Sequence, residues 1–257
     1  MREPMTGMRD GRILAAQRRE QGLAELKGEE AAIAARAGAF LGALPGAARA
    51  RLIGAATLAS VARGESVFRE GDPGERALVV LSGTFRISVI SRSGKDIVLA
   101  YAGAGDIVGE ISVLGGGVRT ASATAIEPSR ILIIYKRDLR ALCADDPEVA
   151  WALLGYLARR LRRTNELLES GRGSAMGPKL ARGLLRLLDE HGVSGRDGER
   201  LSIPVSQGDL GAFVNLSREN VNRQLKEWEQ DGYVVLETGR TCVTDRAALE
   251  EIAEFGD

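Results

Sequence analysis

The chain has 257 residues, 44% of them hydrophobic and 4% aromatic, and carries no net formal charge at pH 7. That length predicts one large or two small domains with real cores. No apolar run approaches the roughly 18 residues of a membrane span and no secretory leader is present, so a cytoplasmic protein without membrane contact is expected. A single histidine and two cysteines, Cys143 and Cys242, form no metal or cluster spacing. Neither a metal centre nor a Ser-His triad is expected, and no enzymatic chemistry is indicated.

Residues 1–37 are rich in Arg, Glu and Ala without a clean helical face, and are expected to be a mobile extension. A short helical lead-in is expected from Phe40 to Leu58, with Pro45 at a turn. The periodicity then changes. Ser66-Val67-Phe68-Arg69 reads as a brief strand before the turn Gly71-Asp72-Pro73-Gly74, and Leu78 to Leu81 as a buried strand. Phe85, Ile87 and Val89 alternate with polar residues, Ser93-Gly94 turns the chain into Ile97-Val98-Leu99, and Ile131 to Tyr135 closes the series. Short strands punctuated by glycine predict a jelly roll or small barrel over 62–136.

Inside it lies the segment from Gly109-Glu110 through Gly115-Gly116-Gly117 to Arg119-Thr120-Ala121. A guanidinium, a hydroxyl and the N–H groups of a small-residue turn suit an anion. Glu110 can accept from hydroxyls a few ångströms away, as on a ribose. A phosphate diester carrying a sugar is the guest these groups imply; a loose glycine hairpin with a surface arginine is the plain alternative.

Asp146-Pro147-Glu148 starts the longest helix, with a cap, a first-turn proline and an acid at the positive end of the dipole. Leu154, Leu157, Ala158, Leu161, Asn165 and Leu168 recur by threes and fours, nearly a coiled-coil seam broken by Thr164-Asn165. Three glycines within seven positions from Gly171 end it near Ser170 and predict a soft hinge. Residues 178–191 form an apolar helix that His191 is expected to cap. Gly192 to Gly198 is read as a polar loop and Leu201-Ser202-Ile203 as a short strand. Ser206 caps Gln207–Val214, Asn215 supplies a tight turn, and Ser217 caps a second helix whose inner face is Val221, Leu225 and Trp228. Two short helices joined this way make a helix-turn-helix. Its outer face offers Arg218, Glu219, Asn222 and Arg223, of which Arg suits guanine and Glu suits cytosine. Tyr233 to Glu237 and Thr241 to Thr244 around Gly239-Arg240 read as a wing.

Gly-Glu, eight residues, then Arg-Thr-Ala resembles the phosphate-binding cassette of the cyclic-AMP receptor/FNR (Crp/Fnr) family of bacterial transcription regulators, and the second half resembles that family's winged helix. The handling of DNA by this family's cyclic-AMP-responsive member is a known helix-turn-helix example. The resemblance implies an α+β fold: a cyclic-nucleotide-binding β-roll over 38–144, a dimerisation helix over 145–170, a hinge at 171–177 and a winged helix-turn-helix over 178–257. It implies that Gly109, Glu110, Arg119, Thr120 and Ala121 hold a cyclic nucleotide, cyclic AMP foremost. Glu110 would take the ribose and Arg119 with Thr120 the phosphate; Arg160 would steady Glu110, and Thr164 and Asn165 would address the base. Arg218, Glu219 and Arg223 would read a palindromic double-stranded DNA site, Ser206, Gln207 and Lys226 would hold phosphates, and Ser217 and Asn222 complete that set. The implied partners are a second copy of the chain, through the 145–170 helix, and RNA polymerase.

Two departures stand out. Asn165 occupies a position where the family's activator has a hydroxyl residue, and an amide serves adenine and guanine equally. The glycine-rich hinge replaces an apolar continuation. Residues 174–257 also carry ten Lys/Arg against fifteen Asp/Glu, whereas 158–173 carry five Arg against two Glu, an uneven balance for a nucleic-acid binder. The rival readings are a family member that is constitutive or gated by a dinucleotide or metabolite, and a cupin-type metalloenzyme. The second would need histidines inside the barrel, and none lies between 62 and 136.

Overall fold

The computed structural model describes residues 40–170, 175–237 and 240–255; within these, the side chains of 163–170, Arg240 and Phe255 are not described. The expected extension (1–37) and the first four positions after Ser170 lie outside the described residues.

Two short helices, α1 (Phe40–Ala43) and α2 (Gly46–Ala55), lead into the strands. Pro45 stands at the N-cap of α2, where its missing N–H costs nothing. Strand β1 (Thr57–Val61) begins earlier than the sequence pattern suggested, and β2 (Ser66–Phe68), β3 (Arg76–Ser82), β4 (Phe85–Ile90) and β5 (Asp96–Ala102) follow. After β6 (Ile107–Val108) comes α3 (Glu110–Gly115), then β7 (Ser122–Ala125) and β8 (Ser129–Tyr135). The strands form two four-stranded sheets, β1-β8-β3-β6 and β2-β7-β4-β5. β3 is buried over Ala77–Leu81, as a strand covered on both faces should be.

Helix α4 (Lys136–Asp145) leads to α5 (Pro147–Ser170), 24 residues as the caps and spacing predicted. The core of the strand-rich part gathers Phe40, Leu41, Leu52, Val79, Ile107, Leu132, Ile134, Leu139 and, from α5, Val149, Leu153 and Tyr156. Tyr156 meets Phe40 edge-on at 6.2 Å and donates its hydroxyl to the Ile107 carbonyl at 3.4 Å. The first turns of α5 are thus part of this core.

The remainder is α6 (Met176–His191), β9 (Gly192–Gly195), β10 (Gly198–Leu201), α7 (Gln207–Val214), α8 (Arg218–Gln230), β11 (Val234–Glu237), β12 (Arg240–Val243) and α9 (Arg246–Phe255). Here the expectation needs correcting. The polar stretch 192–198 is not a loop but a hairpin, β9 paired antiparallel with β10, in a sheet ordered β11-β12-β10-β9. The strand ends at Leu201, so Ser202-Ile203 lie beyond it. His191 is the last residue of α6, with Gly192 at the C-cap position; it is 3% exposed, and its carbonyl accepts from both the N–H and the hydroxyl of Ser202. By packing, the chain divides into two compact units. One runs to Phe85 and resumes over Ala102–Leu157; the other takes Arg86–Tyr101 and everything from Ala158 onward.

Candidate functional site

The first cluster is built around α3. Gly109 sits at its N-cap with φ 80°, a left-handed conformation that glycine adopts without steric cost. Beyond the six-residue helix, Gly116 and Gly117 are left-handed as well, so the chain reverses within two residues. The return strand is stitched to the β2–β3 turn: Gly71 N–H donates to the Arg119 carbonyl at 2.9 Å, and Arg119 N–H to the Asp72 carbonyl at 2.8 Å. Pro73 and Val118 form a bridge at the next position. The backbone of Arg119 is therefore held from both sides.

Its side chain is buried, 2% exposed. Nη1 donates to the Gly109 carbonyl and to Ser112 Oγ, each at 2.9 Å, and Nη2 donates to the Arg76 carbonyl. The guanidinium carbon lies 4.1 Å from the centroid of the Phe68 ring. Nε is buried and meets no acceptor among the described residues. Burial first, and the neighbouring Arg76 guanidinium second, lower the pKa of Arg119, while the carboxylates of Asp72, Glu110 and Glu75 raise it. A guanidinium stays charged under such a shift, so the pocket holds a desolvated cation. Glu110, 1% exposed, is close enough to act on it electrostatically. Thr120 beside it is exposed, and Ala121 is buried. The structure thus gathers Gly109, Glu110 and Arg119 with Thr120 and Ala121 adjacent. Arg160 lies half-buried on α5, and the side chains of Thr164 and Asn165 lie outside the described residues.

Three participants went unread in the sequence: Phe68, Ser112 and the Arg76 carbonyl. Ser112 offered a faint signal, a hydroxyl inside the cassette. Phe68 and Arg76 offered none, because only folding brings the β2–β3 segment onto the cassette.

The second cluster is the pair α7 and α8. Ser206 caps α7, accepting from Asp209 N–H at 3.1 Å and donating its hydroxyl to the Asp209 carboxylate at 2.6 Å. Asn215 takes the left-handed turn with φ 59°, and Leu216 N–H donates to the Gly211 carbonyl at 2.8 Å. Ser217 caps α8, accepting from Asn220 N–H at 3.2 Å. Val221, Leu225 and Trp228 are buried, which turns Ser217, Arg218, Glu219, Arg223 and Lys226 out to solvent. Asn222 Nδ2 donates to Gln207 Oε1 at 2.9 Å, tying the two helices together at the face where both were expected to meet DNA. The Glu219 carboxyl is held below the usual range by its own backbone N–H and the Ser217 hydroxyl, so it presents an acceptor at neutral pH. A cavity of about 450 Å³ opens beside Arg218, rimmed by Ser206 and Gln207 and floored by Leu184, Leu201 and Leu236. No helix among the described residues is long and apolar enough to cross a membrane.

Both clusters fall within segments that match known domains. Residues 58–146 match the cyclic nucleotide-binding domain, and residues 178–252 the Crp-like helix-turn-helix domain. A CRP-like cAMP-activated global transcriptional regulator of Mycobacterium tuberculosis is 35% identical over 217 residues, 84% of this chain and 96% of the relative. The cyclic AMP receptor protein of Thermus thermophilus is 35% identical over 194 residues, 76% of this chain and 86% of that one. The fold is shared with FixK2 of Bradyrhizobium japonicum, at a TM-score of 0.68 and 23% identity over 76% of this chain and 96% of that one. With a cyclic-nucleotide-binding fold and a Crp-like helix-turn-helix in this order, the chain belongs to the Crp/Fnr family of DNA-binding transcription regulators.

Proposed function

We propose that this regulator is a homodimer gated by a cyclic mononucleotide, cyclic AMP foremost, bound in the α3 cassette. The observation that carries the reading is Arg119. A desolvated guanidinium, held by three protein acceptors with Nε still lacking one among the described residues, calls for an anion. Glu110 then takes the ribose hydroxyl and Thr120 a phosphate oxygen, and the relatives named for cyclic AMP favour that nucleotide. Arg160, Thr164 and Asn165 on α5 take the roles of steadying Glu110 and addressing the base.

The dimer reading rests on α5, which leaves Trp151, Leu154 and Leu161 at 68%, 56% and 62% exposure. Large apolar side chains at helical spacing on one exposed helix suit a partner helix. Ligand binding then shifts the balance towards a placement in which two α8 helices meet successive major grooves of a palindromic site. RNA polymerase as a partner, the cytoplasm as location and residues 171–177 as the hinge belong to the same reading.

Calorimetric titration of the full chain with cyclic AMP, cyclic GMP and cyclic di-GMP tests it. Micromolar binding of one mononucleotide is expected, weakened at least about 100-fold in Arg119→Ala, the loss of two charge-assisted bonds. A folded Arg119→Ala protein of unchanged affinity sinks the phosphate assignment. No heat with any of the three leaves a constitutive or differently gated regulator.

A further inference from the structure

Three hydrogen bonds tie Nη1 and Nη2 of Arg119 to the chain. The Phe68 ring lies against the same guanidinium. The ring centroid is 4.1 Å from the guanidinium carbon, inside the roughly 6 Å at which a ring quadrupole attracts a cation. Both groups are buried, Phe68 at 7% and Arg119 at 2% exposure, so solvent does not screen the attraction.

Two further features show that this contact is constrained. A Cβ built on Gly109 would come within 2.4 Å of Arg119 Nη1 and 3.1 Å of Phe68 Cε1, so glycine, guanidinium and ring fill one tight layer. The β2–β7 ladder also breaks register between Ser66 and Phe68. Such an irregularity re-aims a side chain, and it is common beside functional sites. Here the residue at the break is the ring beneath the anion-binding arginine.

We infer that Phe68 is a positioning residue: its ring holds the Arg119 guanidinium against its three acceptors and thereby raises the affinity of the cassette for a cyclic phosphate. The inference deepens the nucleotide reading above and rests on it. The cation–π contact acts while the pocket is empty, so the guanidinium is already oriented when the phosphate arrives. An aliphatic residue of similar size would fill the space without attracting the cation.

The test compares Phe68→Leu and Phe68→Tyr in the full chain, using cyclic AMP calorimetry and thermal unfolding. Phe68→Leu should weaken binding about 2- to 30-fold, the range of a cation–π contact. Phe68→Tyr keeps the ring face and should restore affinity to within about twofold of the parent. Unchanged affinity in a folded Phe68→Leu protein overturns the inference. Equal weakening in both variants also overturns it, because packing alone would then explain the loss.

A second measurement needs no ligand. The Arg119 guanidinium proton signals, identified by their disappearance in Arg119→Lys, should show a ring-current displacement that Phe68→Leu abolishes and Phe68→Tyr keeps. Its absence from the parent protein refutes the orientation. If no cyclic nucleotide binds the parent protein, the nucleotide reading fails, and the ring-current signal alone then decides for or against Phe68.

Discussion

Two arginines show how environment divides one side chain between two tasks. Arg119 is buried, pinned by its backbone and spent on three acceptors, so its geometry is set before anything binds. Arg223 is exposed, with a long contact of 3.5 Å to Asn220 Oδ1 and a sulfur of Met176 at 3.8 Å. Its fork is free to turn towards a base edge. Arg223→Ala should therefore leave stability within about 0.5 kcal/mol, yet cost about 1–3 kcal/mol of discrimination at one half-site position. Binding to a panel of singly substituted sites measures this; an equal loss on every sequence would make Arg223 a phosphate contact instead. That Gly109, Glu110 and Arg119 belong together was legible because the Gly-Glu to Arg-Thr-Ala spacing is local. Their supports were not. The Arg76 carbonyl reaches Arg119 across 43 positions, a pairing that only strand topology creates.

Among elements, those that end in a strong local signal were readable and those that depend on a partner were not. Ser206, Asn215 and Ser217 announce the two helices and their turn, and all three perform the expected capping or left-handed role. The hairpin β9–β10 escaped because Gly192 to Gly198 is polar and exposed on β9, without the alternation that marks a half-buried strand. Its strand character comes from pairing β10 with β12, which lies more than forty residues downstream. Strand β7 is four small residues, and α3 is a single glycine-bounded turn and a half; both fall below what periodicity can register. Gly211 tests how tightly the helix-turn-helix is closed. Alanine is the better helix former by about 1 kcal/mol, but its Cβ would lie 2.8 Å from the Leu216 carbonyl oxygen. That oxygen belongs to the backbone of the turn and cannot rotate aside. Overpacking should win, so Gly211→Ala should destabilise the protein by about 1–2 kcal/mol net and weaken DNA binding as α8 shifts. Denaturant midpoints of the full chain decide the sign; a gain in stability would mean that the turn yields easily.

At the scale of the whole molecule, charge is the feature that a familiar fold does not explain. Residues 174–257 hold ten bases against fifteen acids, although this half carries the Crp-like helix-turn-helix. Part of the acid surplus is paired within this half. Arg246 binds Asp189, Glu199 and Glu250 together, and these carboxylates raise its pKa further. That network ties α9 to α6 and β10. What remains on α8 is Arg218, Arg223 and Lys226, three exposed cations per copy, with the neutral Ser206 and Gln207 beside them. Even if all six cations of two copies met phosphates they would release about five counterions, so the plot of log affinity against log salt should be no steeper than about −5, and shallower to the extent that Arg218 and Arg223 meet bases. Titrating a specific site between low and physiological salt measures it. A slope of about −9 or steeper would require ten phosphate contacts, more than α8 can supply. The additional cations would then have to come from elsewhere, and the run Arg159, Arg162 and Arg163 on α5 is the basic cluster to substitute next. A slope well short of −5 makes base readout, rather than backbone charge, the main source of affinity, and a regulator of that kind should bind non-specific DNA weakly even at low salt.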